Sequence, residues 1–295
     1  KSVDSSKVDS RRGIVKVINL GEFVAVVADN WWRAKEALRD VSIDWDNGKN
    51  GAVNSASLMQ YYRDGLTQTE QAIARNDGNT LAVLASTQVI EADYYTPYLA
   101  HATMEPMVCT ALLDGDKLDI WASTQNPEST LTAAAATAEV AQENVRVFAM
   151  QMGGGLGRKS PQDFTRQAVA IAMQLPGKPV KLMWSREEDM TQGRYHPVMA
   201  CKLTGTFDTS KNLTGIHMRL SGQSILAAVR PAVLEQQKGR DPLVFQGVFD
   251  GGEHGFGYEF PNQLMDHAMR NTHVPPGFWR GVNANQNAVF LECFM

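Results

Sequence analysis

A mixed α+β fold is predicted by three features of this sequence. Short runs rich in Val, Ile and Leu, at 13–18, 23–28, 108–113 and 118–122, have the length and composition of strands. Among them lie segments at 30–39, 133–142 and 163–175 that are alanine-rich or helically periodic and long enough for helices. Turn chemistry punctuates the two kinds, at Asp114-Gly115-Asp116, at Gly177-Lys178-Pro179 and from Asp208 to Asn212.

Taken in order, strands at 13–18 and 23–28, a helix at 30–39 capped by Asp29 or Asn30, and an alternating strand at 41–45 make a ββαβ unit within residues 1–50. The run from Asp46 to Gly51 breaks it. Residues 51–80 are polar and partly helical and read as a linker over the surface. From 81 to 295 the chain reads as a second domain, with strands at 81–92, 108–113, 118–122, 145–150 and 180–184 and helices at 133–142 and 163–175. A hairpin pairs 202–207 with 213–221. The apolar end, Ala288 to Met295, reads as the start of a buried helix, and Lys1 is not a translated start, so an incomplete chain is expected.

Composition limits the function classes. With 295 residues, 43% hydrophobic and 20% charged, the chain can bury a sizeable core in one or two domains. A net charge of −4 with no basic stripe gives no reason to expect nucleic acid or an anionic membrane, and no apolar run is long enough for a transmembrane segment. Cys109, Cys201 and Cys293 form no Cys-x-x-Cys pair and cannot build a local four-thiolate cluster; each is expected to be a small buried hydrophobe. His101, His196, His254, His267 and His273 lack the spacing of a helix-borne zinc site and read as ordinary core or surface histidines.

Chemistry concentrates in Gln151-Met152-Gly153-Gly154-Gly155-Leu156-Gly157-Arg158-Lys159, which has four glycines in five positions between a strand-like and a helix-like segment. Such a loop exposes backbone N–H groups and suits a phosphate or oxo group. A P-loop is excluded because Arg158, not Lys, follows Gly157, and a dinucleotide fingerprint fails because its third glycine would fall at Arg158. A lone glycine cluster is more often only a tight turn.

Other segments change that balance: Tyr98-Leu99-Ala100-His101-Ala102-Thr103-Met104-Glu105-Pro106, Trp121-Ala122-Ser123-Thr124-Gln125-Asn126-Pro127, Ser185 to Met190, and Pro276-Gly277-Phe278-Trp279-Arg280-Gly281 with Gln286 behind it. With the glycine loop, and in this order, they resemble the molybdenum hydroxylase family of xanthine dehydrogenase and aldehyde oxidoreductase. The likeness is strongest to the large subunit of the isoquinoline 1-oxidoreductase type, which similarly carries Arg after the last glycine and reads Gly-Phe-Trp-Arg later. It runs from about Gly13 to the last residue.

The resemblance implies a partial α/β hammerhead domain at 1–50 and, at 81–295, a first molybdopterin-binding domain cut short at its C-terminal end. It implies hydroxylation of N-heterocycles or oxidation of aldehydes with water-derived oxygen. The implied cofactor is molybdenum on molybdopterin, as the cytosine dinucleotide, with [2Fe-2S] clusters on a small iron–sulfur partner subunit and a cytochrome or other electron acceptor beyond it. The family's base glutamate lies outside this chain, so no catalytic residue is assigned and the fragment is expected to be inactive alone. Relatives of the isoquinoline type imply the periplasm, with the cytoplasm as alternative.

The matching positions imply the site. Gln125 matches the glutamine facing the apical oxygen of molybdenum, its bland alternative being a polar turn residue before Asn126-Pro127. Gly154, Gly155, Leu156, Gly157 and Arg158 form the cofactor loop, with Leu156 where the family has Phe. Ser160 stands where xanthine-type enzymes place a purine-contacting glutamate, which disfavours purines. Arg280 matches a buried arginine near pterin and metal, and Gln286 a donor to the pterin. Glu105 reads as structural, accepting backbone hydrogen bonds at a turn, and Glu187-Glu188-Asp189 as a solvated helix start. Two other classes compete: a nucleotide-dependent enzyme using the loop for phosphate, and a noncatalytic scaffold that keeps the fold.

Overall fold

The computed structural model describes residues 2–69, 71–86, 88–248 and 257–295. In chain order its strands and helices are β1 (Ser2–Asp4), β2 (Ile14–Asn19), β3 (Val24–Ala28), α1 (Trp31–Leu38), β4 (Ser42–Asp44), α2 (Ser55–Asp64), β5 (Ala72–Asp77), α3 (Thr80–Ser86), β6 (Val89–Thr96), β7 (Val108–Asp114), β8 (Lys117–Ala122), α4 (Pro127–Ala138), β9 (Val145–Ala149), α5 (Asp163–Ala172), β10 (Val180–Met183), α6 (Arg186–Thr191), β11 (Met199–Phe207), β12 (Leu213–Gly222), α7 (Ile225–Val229), α8 (Pro231–Gln236), β13 (Asn262–Met269) and α9 (Ala284–Phe294). Helices and strands mix as the α+β reading expects. No helix among the described residues is long and apolar enough to cross a membrane.

The chain divides into two compact units, and both are discontinuous in sequence. The first joins Lys1–Ala52, Ala102–Gly155 and Lys159–Thr191. Its N-terminal part follows the ββαβ reading: β2 pairs antiparallel with β3, and the Asn30 side chain caps α1 by accepting from Arg33 N at 3.0 Å. β4 pairs with β1, a strand the sequence did not suggest. Val8, Ala37 and Val41 close a small core there.

The larger part of this unit is a four-stranded sheet in the order β10-β7-β8-β9. Alternation along β7 and β8 sends Cys109, Ala111, Leu118, Ile120 and Ala122 to one face, where they meet Ala134 of α4 and Phe164, Ala168 and Val169 of α5. A tight turn through Gly115 lets β8 run antiparallel to β7, whereas β9 runs parallel to β8 and needs a crossover, which α4 supplies. The free ends of β8 and β9 therefore point the same way, and both functional loops of this unit leave from there.

The second unit joins Val53–His101, Leu156–Arg158 and Gln192–Met295. Its five-stranded sheet has the order β5-β13-β12-β11-β6, antiparallel except for β12 with β13. Cys201, Leu203, Met218, Leu220 and Met265 bury one face against Phe245, Phe290 and Leu291. A charged cluster crosses the β12–β13 pair. Arg219 donates bidentately to the fully buried Asp266 (Nη2 to Oδ2 3.2 Å), His217 Nε2 reaches Asp266 Oδ2 at 3.1 Å, and Arg219 Nη1 donates to Gln68 O at 2.7 Å.

Several local expectations are corrected. The run 81–92 is not one strand: Thr80–Ser86 is helical and β6 starts at Val89, because a five-residue apolar run fits either period. Residues 51–80 are more than a linker, since α2 buries Tyr62 and β5 forms the edge of the five-stranded sheet. The helix expected at 133–142 spans Pro127–Ala138 instead, and Cys293 is exposed on α9.

Candidate functional site

In the first unit the site grows from the shared end of β8 and β9. β8 stops at Ala122, and Asn126 caps the next helix by accepting from Ser129 N at 3.0 Å, with Pro127 in the first turn. Ser123, Thr124 and Gln125 are thus held between a strand end and a helix start. Met150 N still donates to Ala122 O at 2.9 Å, so the glycine loop begins beside them.

Gln125 and Lys159 grip each other twice: Gln125 N donates to Lys159 O at 3.0 Å, and Lys159 N to Gln125 Oε1 at 3.3 Å. A Cβ at Gly155 would lie 2.6 Å from Gln125 Cδ, so only glycine lets the loop lie against this carboxamide. Gln125 itself is exposed. A buried net behind it, from Thr130 Oγ1 to Gln162 Oε1 (2.8 Å) and Gln162 Nε2 to Thr124 Oγ1 (3.2 Å), fixes the strand end.

Beneath the loop lies an ion pair that sequence reasoning missed. The Lys159 side chain is fully buried, and its ammonium donates to Glu105 Oε2 and, at 3.1 Å, to Ser123 Oγ. Glu105 takes the structural role expected of it, since Gly153 N donates to its Oε2 at 3.1 Å and Glu105 N donates to Gly153 O at 2.9 Å. Burial pushes the Glu105 carboxyl up, but the bonds from Lys159, Gly153 and Ser123 outweigh this and hold it below its ordinary value. Lysine is almost never fully buried unless paired, and no local pattern announces a partner 54 positions away.

In the second unit, Leu156 has φ +51° and an exposed side chain, and Gly157 has φ +97°. A Cβ at Gly157 would run into the Phe278 carbonyl. Arg158 is buried. The Phe278 carbonyl belongs to the turn 275–281, which is clamped from several sides. His101 Nε2–H donates to it at 2.6 Å, Trp279 Nε1 donates to Ala100 O at 3.3 Å, Gly277 N to Tyr195 O at 2.9 Å, and Arg194 Nη1 to Pro276 O at 3.1 Å. Burial lowers the His101 pKa to about 4, so it is a neutral donor at pH 7.

Two expected residues sit differently from their prediction. Arg280 is exposed rather than buried; its carbonyl accepts from Asn285 Nδ2 at 3.4 Å. Gln286 is buried, with Nε2 donating to Asn283 Oδ1 at 2.8 Å and Oε1 accepting from Thr96 Oγ1 at 3.1 Å, so its amide ties α9 to β6. In the segment read as a solvated helix start, Asp189 is buried and paired with Arg186 at 2.6 Å. The structure thus brings Gln125 together with Gly153 and Gly155 in one unit, and Leu156-Gly157-Arg158 together with the turn before Arg280 in the other.

No group of three or more metal-ligating side chains occurs among the described residues; His254 lies outside them. What the loop offers a guest is the exposed Gln125 carboxamide and the main chain of the exposed Gly153 and Gly154, and such donors suit an anionic or oxo-bearing group.

Residues 66–236 match the model of the molybdopterin cofactor-binding domain. The whole chain aligns at 22% identity with a membrane-bound aldehyde dehydrogenase [pyrroloquinoline-quinone] of Gluconacetobacter polyoxogenes, covering 39% of it. Over 67% of the chain it is 31% identical to the aldehyde oxidoreductase molybdenum-binding subunit PaoC of Escherichia coli K12, covering 27% of that protein. Over 96% of the chain it is 24% identical to the isoquinoline 1-oxidoreductase subunit beta of Brevundimonas diminuta, covering 37% of that subunit. Among solved structures, the aldehyde oxidoreductase of Desulfovibrio gigas superposes with a TM-score of 0.67 at 18% identity, over 97% of this chain and 35% of that one, and shares its fold. The chain therefore spans well under half the length of these relatives.

Proposed function

This chain belongs to the molybdopterin cofactor-binding domain family, and from that premise we propose that it is part of the large subunit of a molybdenum hydroxylase that oxidises aldehydes or hydroxylates N-heterocycles. The observation that carries the reading is the Gln125 carboxamide held against Gly155 and gripped by Lys159 at the end of β8.

The residues present fit the cofactor. Gly153 and Gly154 are exposed and carry no side chain, which leaves main chain at the loop surface, while a Cβ at Gly155 would collide with Gln125 and one at Gly157 with Phe278. Within the first unit Gln125, Gly154 and Gly155 would hold it; in the second, Leu156, Gly157, Arg158 and the exposed Arg280 are the positions that the resemblance implies. When bound, molybdenum on molybdopterin supplies two-electron oxidation with oxygen derived from water.

The chain's own residues orient and stabilise. Gln125 adds a neutral amide dipole at a fixed place, and donors fixed before reaction need no reorganisation when charge develops, an effect worth several kcal/mol in comparable oxyanion sites. His101, neutral at pH 7, holds the 275–281 turn without adding charge. Ser160 offers no carboxylate for a purine, which favours aldehydes and simple N-heterocycles. Further parts of the proposal are the cytosine dinucleotide form of the pterin, [2Fe-2S] clusters on a small partner subunit, a cytochrome or other acceptor, and a periplasmic location. The relatives named as subunits support a multi-subunit assembly.

The test is to purify the complete native subunit, coexpressed with its iron–sulfur partner and maturation machinery, and to measure molybdenum and released cytidine nucleotide. About one of each per large subunit is expected, by the stoichiometry of a single cofactor site. Absence of both from a folded complex refutes the reading. Assaying the same extract for pyrroloquinoline quinone separates it from the chemistry in the Gluconacetobacter relative's name.

A further inference from the structure

We propose that Glu105 and Lys159 are positioning residues: their ion pair ties both ends of the glycine loop to the segment after β8 that carries Gln125, and so sets the cofactor-holding surface of the first unit. The proposal rests on the molybdenum-cofactor reading and deepens it.

An ammonium with no accessible surface needs both a counter-charge and further hydrogen-bond acceptors, and Lys159 finds them in Glu105 Oε2 and Ser123 Oγ. Glu105 keeps a third of its side-chain surface, so its carboxylate faces the buried cation on one side and solvent on another. That same carboxylate oxygen accepts from Gly153 N, while Glu105 N returns a bond to Gly153 O. One oxygen thus fastens the loop where it begins, at Gly153, and where it ends, at Lys159.

Lys159 links this fastening to Gln125. Its side chain runs down to the ion pair while its own N–H and C=O bind Gln125 Oε1 and N. Its carbonyl also accepts from Thr124 Oγ1 at 3.3 Å. The residue whose ammonium makes the ion pair is thus the one whose backbone holds the carboxamide. Neither Glu105 nor Lys159 needs to touch the guest; both act through Gln125 and the loop's N–H groups.

The experiment uses the complete native subunit, coexpressed as above, as wild type, Lys159→Met and the doubly neutral Glu105→Gln/Lys159→Met. Three quantities are read: the unfolding midpoint, hydrogen exchange of peptides covering 151–160 and 108–122, and molybdenum per subunit. In both variants the 151–160 peptide should exchange at least ~10-fold faster and molybdenum content should fall at least ~5-fold, while 108–122 exchanges as in wild type. The double variant leaves no unpaired buried charge, so its midpoint should return toward wild type although loop exchange and molybdenum do not. Wild-type loop exchange and molybdenum in either variant would overturn the proposal. Acceleration of all peptides together would also overturn it, by making Lys159 a residue that only holds the fold. Wild-type protein without molybdenum would overturn the cofactor reading instead, which keeps the two failures apart.

Discussion

Replacing Gly157 with Ala tests the geometry of the loop more sharply than removing any side chain. At φ +97° an L-residue costs roughly 1–2 kcal/mol from its own backbone. The new methyl would also meet the Phe278 carbonyl, with Phe278 Cβ 3.1 Å away. That carbonyl cannot yield freely, because it accepts from the buried His101 at 2.6 Å, and breaking such a bond leaves a buried donor unsatisfied at about 1–3 kcal/mol. The total is about 2–5 kcal/mol. Gly239 provides the control within the same unit: its φ is +79° and a methyl added there would find no atom within 4 Å, so Gly239→Ala carries the backbone cost alone. Alanine's smaller unfolded-state entropy stabilises both variants alike and cancels in the comparison. Urea unfolding of the two proteins with unchanged m-values should place Gly157→Ala at least ~1 kcal/mol below Gly239→Ala. Equal losses, or a smaller loss at Gly157, would refute the claim that the loop is pressed against the 275–281 turn.

Three further outcomes are expected. Asp266→Asn leaves the Arg219 guanidinium buried without its counter-charge and should cost about 3–5 kcal/mol in denaturant unfolding; a cost below ~1 kcal/mol would mean that the cluster contributes little. Burial lowers His101 and His267 from 6.5 to about 4. The unfolded chain therefore binds more protons than the folded one between these values, and stability falls as pH drops from 6.5 to 4, by up to ~1.4 kcal/mol per pH unit for each histidine. Urea midpoints across that range should lose part of their slope in His267→Gln, and an identical slope would contradict the burial argument. For Glu105 the sign is that of a depressed acid: its contribution is complete above the ordinary value of 4.5 and lost as pH falls below it. The gap in thermal midpoint between wild type and Glu105→Gln should accordingly close in acid, and a gap that persists unchanged at low pH would remove the ion pair as its source.

What the sequence reveals and what it hides divide along physical lines. β2, β3, β7, β8 and the β11–β12 hairpin are readable because alternation and turn residues are local signals, and the pair Asp29-Asn30 announces a helix by side-chain chemistry, the structure giving the cap to Asn30. Asn126-Pro127 carries an equally local signal, a cap followed by a first-turn proline, but the same pair also suits a turn, and α4 starts earlier than its alanines alone suggest. β1 has three residues and exists only through its pairing with β4, 40 positions on. At the site, Gln125 and the glycines are legible as a motif. The resemblance locates Arg280 and Gln286 but cannot report that one is exposed and the other consumed by Asn283 and Thr96. The Lys159–Glu105 pair and the His101 clamp depend on contacts across 54 and 177 positions, which no periodicity encodes.

The division of the chain has a consequence for how it comes to be folded. The polypeptide passes from one unit to the other after Ala52, His101, Gly155, Arg158 and Thr191. A nascent chain cannot complete the first unit until Thr191 has emerged, by which time residues 53–101 must wait, partly made, for strands β11 to β13. Sheet pairings of such long sequence separation close slowly and leave apolar surface open in the interval. Neither unit can be excised as one continuous piece of gene, so attempts to dissect this protein by truncation should give aggregates, whereas point substitutions in the whole chain keep both units buildable.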